Sequence, residues 1–135
     1  MHNYHELKIW QEGRKLVKTV YSASASFPKQ EMYGLTSQIR RAAISIPSNI
    51  AEGTGRTSDR EFKRFLDFAI GSLFELETQM ILANDLNFIT TENFETIHQD
   101  IKSLIRMIVK FTGVLKVWKS NNLTIQKSFN YETKF

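Results

Sequence analysis

No cysteine occurs among the 135 residues, which excludes disulfides, thiolate metal sites and cysteine nucleophiles. There are only two prolines and six glycines, too few for a turn-rich β architecture. No apolar run approaches the ~20 residues of a membrane span, so no membrane association is expected. The opening MHNYHELKIW lacks the apolar centre of a secretory signal, so the cytoplasm is the expected compartment. There is little charge imbalance either: the net charge is +4, with an isoelectric point near 9.4.

What is present is the ordinary balance of a folded domain, 41% hydrophobic and 24% charged residues, at a length that supports one core and not two. The basic excess is uneven. Residues 1–60 hold nine Lys/Arg against five acids, residues 61–118 six against eight, and 119–135 three against one. Such a surplus acts on partners only where assembly concentrates it on one surface.

Apolar periodicity divides the chain into four helices. The first is expected over about His5 to Phe27, with stripes through Leu7, Trp10, Val17 and Tyr21 and through Ile9, Leu16, Val20 and Phe27. Pro28 ends it, because the residue before a proline avoids helical geometry. The second runs from about Glu31 to Glu52 and stops at Gly53 and Gly55. The third opens at Ser58, whose spacing to Glu61 is that of a capping box, and continues to about Asn84 through Phe62, Phe65, Ala69, Leu73, Leu76, Met80 and Ala83. The fourth starts after Thr90, an N-cap with Ile89 and Phe94 placed as a hydrophobic staple. It repeats Phe94, Ile97, Ile101, Leu104, Ile108, Phe111, Leu115 and Trp118 in near-heptad register. Short connections make successive helices antiparallel neighbours. The expected fold is an all-α, up-down-up-down antiparallel four-helix bundle over residues 1–118. Residues 119–135, KSNNLTIQKSFNYETKF, break the pattern and read either as a disordered terminus or as a docking arm.

The second helix is unusual. Leu35, Ile39, Ala42, Ile46 and Ile50 share a core side, while Ile44, Pro47 and Ala51 lie away from it. Arg41, Ser45, Ser48 and Glu52 form a polar line between them. Pro47 costs ~3 kcal/mol or more in a helix interior, yet the core register continues through it, which predicts one kinked helix rather than two. Two apolar sides, together with Phe68, Leu82 and Val114 off the core stripes of the last two helices, predict a subunit interface and self-association.

No catalytic constellation is found, and neither a cofactor nor a metal is expected. His2, His5 and His98 are dispersed. Glu75 and Glu77, two apart on a helix, do not face each other. EGTGRTSD, residues 52–59, is glycine-rich before a helix start but lacks the lysine and spacing of a P-loop. Nucleic-acid binding is the remaining function, through Lys8, Arg14, Lys15 and Lys18 on helix one, Arg40 on helix two, and Arg56, Arg60, Lys63 and Arg64 around the second turn. The other class is a protein-interaction scaffold that serves an enzyme partner without touching nucleic acid.

Residues 27–79, FPKQEMYGLTSQIRRAAISIPSNIAEGTGRTSDREFKRFLDFAIGSLFELETQ, resemble the hallmark region of the four-helix-bundle proteins named for intervening sequences of 23S ribosomal RNA. The resemblance extends through LKIWQEGRKLVKTVY, residues 7–21, and covers nearly everything except the tail. Family members are similar in fold to the accessory protein of diversity-generating retroelements. That resemblance implies a homopentameric, barrel-like ring, and a relative that is positively charged and associates with a reverse transcriptase and nucleic acid. It implies no enzymatic activity. Gly13 stands where the family usually has alanine, and the tail after Trp118 is longer and more aromatic than the family pattern. In a ring each subunit presents two different surfaces. Arg41, Ile44, Pro47, Ser48, Ala51 and Glu52 of helix two, with Phe68 and Glu75 of helix three, are the expected interface, Glu75 being a candidate partner for Arg41 across the seam.

Overall fold

The computed structural model describes residues 3–132, with side chains over 3–115. Four α-helices follow a short 3-10 turn at Tyr4–Glu6: α1 Lys8–Ser24, α2 Leu35–Thr54, α3 Asp59–Asp85 and α4 Thr91–Glu132. A second 3-10 turn, Lys29–Glu31, lies between α1 and α2. No strand occurs among the described residues. Each helix packs closely on two others, α1 on α2 and α4, and α3 on α2 and α4, so that α1 and α3 lie on a diagonal with no close approach of their backbones.

The caps form where the residue types place them. Ser58 Oγ accepts from the Glu61 N–H at 3.1 Å, and Thr90 Oγ1 accepts from the Asn93 N–H at 3.2 Å. Each meets one of the backbone donors that a helix start leaves without an internal partner. Ile89 and Phe94 are both buried beside the start of α4. The core contains most of the expected stripes and adds Ala43 and Leu66, both fully buried; Trp10, Val17, Leu35, Phe65 and Phe111 are only half-buried, and Tyr21 is exposed.

Several boundaries differ from expectation. Gly34 precedes α2, so the helix begins at Leu35, four residues late, and Glu31 Oε2 accepts from the Leu35 N–H at 3.4 Å. Gly53 does not stop α2 but lies inside it. A Cβ there would sit 2.9 Å from Phe65 Cβ and 3.4 Å from the Phe62 carbonyl oxygen, so the glycine permits a close approach of α2 to α3. At the other end, the helical backbone of α4 continues to Glu132, through most of the segment expected to break at 119. The side chains of that tail, and of Trp118, lie outside the described residues.

α2 is one helix through Pro47, as its register predicts. The position of the proline corrects a different expectation. Pro47 is half-buried, and a Cβ at Gly13 of α1 would meet Pro47 Cβ and Cδ at 3.6 Å and Ile46 Cγ2 at 3.5 Å. A helix with neighbours on two flanks needs a wide apolar arc, and Pro47 belongs to the arc facing α1. Ala51 is half-buried too. What α2 leaves exposed is Gln38, Arg41, Ile44, Ser48 and Glu52. On the α3 flank, Ser45 Oγ hydrogen-bonds Ser72 Oγ, so Ser45 leaves the outer polar line for a contact within the bundle.

Candidate nucleic-acid interface

The helix contacts set the level of each basic side chain. Gly13 lies beside Ile46 and Pro47, Gly53 beside Phe62 and Phe65, and the Phe62 and Phe111 rings are 5.9 Å apart. The beginning of α1, the end of α2 and the beginning of α3 therefore share one end of the molecule, and the Tyr4–Glu6 turn also packs on α2. Lys8 and Arg14 from α1, Arg56 from the second connection, and Arg60, Lys63 and Arg64 from the start of α3 gather at that end. Lys15 and Lys18 lie nearer mid-height. Because α1 and α3 are diagonal, the two sets reach solvent from different corners.

Arg40 is not part of this collection. It is half-buried at the opposite end, where its Nε donates to Ser24 Oγ at 3.0 Å and its guanidinium lies 4.5 Å over the Tyr21 ring. Arg56 is also held, 3.0 Å from Glu52 Oε1 and 4.5 Å over the Phe65 ring. Arg40 thereby joins α2 to α1, and exposed Arg56 joins the end of α2 to α3. Arg64 lies 5.5 Å over the exposed Phe68 ring. Lys8, Arg14, Lys15, Lys18, Arg60, Lys63 and Arg64 are all exposed. Among them only Lys15 has a carboxylate within ion-pair reach in the described residues, Glu12 Oε1 at 3.2 Å.

One constellation escapes sequence reasoning. The Tyr4–Glu6 turn carries the His5 ring to 5.2 Å from Trp10 and the Tyr4 ring to 5.3 Å from it, both edge-on. Arg14 sits 5.6 Å from the Trp10 ring centre. A groove of about 510 Å³ opens here, lined by His5, Trp10, Gln11, Arg14, Lys15 and Lys18. The signal that could have found it is the aromatic-basic interleaving of HELKIWQEGRK; a helix drawn through His5 conceals it.

A second groove, of about 560 Å³, lies between the α1–α2 connection and α2, with Tyr21, Tyr33, Arg40, Arg41 and Ile44 on its walls. Thr36 also lines it, its hydroxyl buried without a hydrogen-bond partner. Arg41 and Glu75 lie on neighbouring helices but form no ion pair within the subunit among the described residues; Glu75 Oε1 accepts instead from Gln79 Nε2 at 3.2 Å. Phe68, Leu82 and Val114 are exposed, as are Phe74, Ile81 and Val109.

Between α1 and α4 a smaller cavity, about 280 Å³, is bordered by Glu12, Lys15, Thr19, Asp100 and Ser103. Burial, and then the charge of Glu12, raise the Asp100 carboxyl above its ordinary range. On α3, His98 of α4 donates from Nε2 to Glu77 Oε2 at 3.1 Å, with the Phe94 ring stacked on its imidazole at 5.2 Å. No cluster of three or more His, Cys, Asp or Glu that could hold a metal occurs among the described residues. No described helix is long and apolar enough to cross a membrane.

Comparison with known proteins agrees with this architecture. None of the curated proteins matches the chain. A crystal structure from Bacteroides thetaiotaomicron, described as a protein with unknown function from the S23 ribosomal protein family, is similar with a TM-score of 0.70 and 21% identity. The match covers 77% of this chain and 97% of that one, and at this identity it speaks for the fold alone. The family model of the 23S rRNA-intervening sequence proteins matches residues 5–110. The all-helical architecture and that match agree: the chain belongs to the 23S rRNA-intervening sequence protein family.

Proposed function

We propose that this chain is a non-enzymatic, cytoplasmic, self-assembling protein that binds RNA or DNA through basic surface pooled in a homopentamer. Its subunit is an up-down-up-down bundle with α2 bent at Pro47. The inverse order of the contacts supports the alternation: Arg40 meets Ser24 while Ile46 lies by Gly13, and Glu77 meets His98 while Phe62 meets Phe111. The observation that carries the binding reading is the set of seven exposed cations, of which only Lys15 has an acidic partner among the described residues. Five copies at +4 each carry about +20, a field strong enough to concentrate a polyanion.

The seam of the ring uses the exposed side of α2, Arg41, Ile44, Ser48 and Glu52, against a neighbour's Phe68 and Glu75. An Arg41–Glu75 pair there sets orientation more than it adds stability, because desolvation offsets its attraction. Sedimentation of the wild type and of Arg41→Ala with Glu75→Ala tests this: the wild type runs as the assembly and the double variant shifts toward single-chain mass. A wild type of single-chain mass at every concentration removes the ring.

The binding reading is tested with labelled ribosomal RNA fragments, duplex DNA and RNA–DNA hybrid. Affinity dominated by phosphate contacts falls steeply as salt rises, and shows little sequence preference. No binding at low salt removes it. A second reading, a scaffold for an enzyme partner such as a reverse transcriptase, draws on exposed Phe74, Ile81 and Val109. Those apolar side chains suit a protein partner whose affinity depends far less on salt.

A further inference from the structure

We infer that the groove at the start of α1 is a single-strand site, in which an unpaired base stacks on Trp10 beside His5 while Arg14 and Lys18 hold its phosphates. This rests on the nucleic-acid reading above and adds to it the state of the strand and the place of its base.

The groove is built, not incidental. Buried Leu7, in extended geometry at φ −72° and ψ 122°, separates the Tyr4–Glu6 turn from α1. Gln11 Nε2 donates to the His5 carbonyl at 2.8 Å and ties the turn back onto the helix. The Tyr4 and His5 rings then meet Trp10 at interplanar angles of 67° and 86°. Neither ring is stacked face to face on the half-buried indole, and the cation over it is Arg14, 5.6 Å from its centre. Aromatic faces that accept a planar base, set in a cationic groove, are how sequence-tolerant single-strand sites work. The volume, about 510 Å³, lies within the roughly 300–1,000 Å³ of small-molecule pockets.

Charge selects an anion. Arg14 and Lys18 have no carboxylate within ion-pair reach among the described residues, whereas Lys15 is bonded to Glu12. Stacking selects an unpaired base, since the bases of a duplex are occupied with one another and present phosphate outward. An acidic peptide would use the same cations but bring no planar ring to stack on the indole.

The test uses full-length Trp118→Phe protein, in which Trp10 is the remaining tryptophan. It is titrated with a short oligouridylate and with an abasic strand of equal phosphate count. Saturable quenching of Trp10, and an abasic affinity lower by roughly 5- to 150-fold, are expected from the loss of one stacked base. Trp10→Ala loses the same factor on the uridylate, while Trp10→Phe retains most of the affinity. Circular dichroism shows whether each variant folds, and exposed His5→Ala supplies a milder lesion in the same groove. Arg14→Ala with Lys18→Ala weakens both strands and lowers the salt slope by roughly one to two. Equal affinity for the two strands with unchanged Trp10 emission overturns the site. If Lys63→Ala with Arg64→Ala still weakens both strands in that case, nucleic-acid binding itself survives elsewhere. Polyglutamate quenching Trp10 as strongly as the oligouridylate also overturns the site, in favour of an acidic peptide. Failure of every nucleic acid to bind at low salt overturns both readings.

Discussion

Gly13 in α1 and Gly53 in α2 are both buried within helices at a seam, yet they do opposite things. At Gly13 an added Cβ would make ordinary contacts of 3.5–3.6 Å with Ile46 and Pro47. At Gly53 it would meet Phe65 Cβ at 2.9 Å, with the Phe62 carbonyl behind it. The α1–α2 seam has room for a methyl; the α2–α3 seam has none. A glycine in a helix interior weakens it relative to alanine, and only the second position has a packing reason to accept that. The α2–α3 seam is the tighter of the two at its glycine, and the Ser45–Ser72 hydrogen bond and Arg56 over Phe65 lie along it.

Ile46→Ala should break the comparison most severely. Its side chain is fully buried and forms the wall that Gly13 faces, so its loss should cost ~2–5 kcal/mol, read from the denaturant midpoint. Gly53→Ala comes next. Overpacking of about 1–3 kcal/mol should outweigh the ~1 kcal/mol gained in helix propensity; a variant that melts later than wild type would show the α2–α3 seam to be looser than described. Gly13→Ala should do the reverse and raise the midpoint by up to ~1 kcal/mol, because its Cβ finds space.

The smallest effect belongs to the polar α1–α4 cavity. Asp100 is raised above its ordinary carboxylate range by burial and then by Glu12, so the folded state binds its proton more readily than the unfolded chain. Stability from this group is present at low pH and falls as pH rises from the ordinary carboxylate range through the raised folded value. Asp100→Asn should flatten that slope, as measured by unfolding between acid and neutral pH.

Much of the frame was legible in the residues. Ser58 and Thr90 are caps because short side-chain oxygens reach the free N–H groups of a helix start, and that chemistry is local. Most of the interior of α3 and α4 follows from period alone. Leu66 and Ala43 were missed because a helix flanked on two sides buries more than one narrow stripe. The same geometry took Pro47 and Ser45 off the outer side of α2. Gly53 reads as a stop because the usual role of glycine at a helix end is local, whereas its role here depends on Phe65, twelve residues away. The Trp10 groove was hidden for a different reason. On one unbroken helix, His5 and Trp10 point about 140° apart at 100° per residue; the turn and extended Leu7 bring them together. Arg40 reads as a surface cation because sequence gives charge without saying that Ser24 and the Tyr21 ring lie beside it.

Because Gln11 fastens the Tyr4–Glu6 turn against α1 and Asn3 bonds His5, a fusion to the N-terminus enters the described chain close to the tryptophan pocket. A polyhistidine purification handle there would add imidazoles beside His5 and alter both the emission and the salt response on which the assays depend. Protein for such titrations is best prepared with that leader cleaved away.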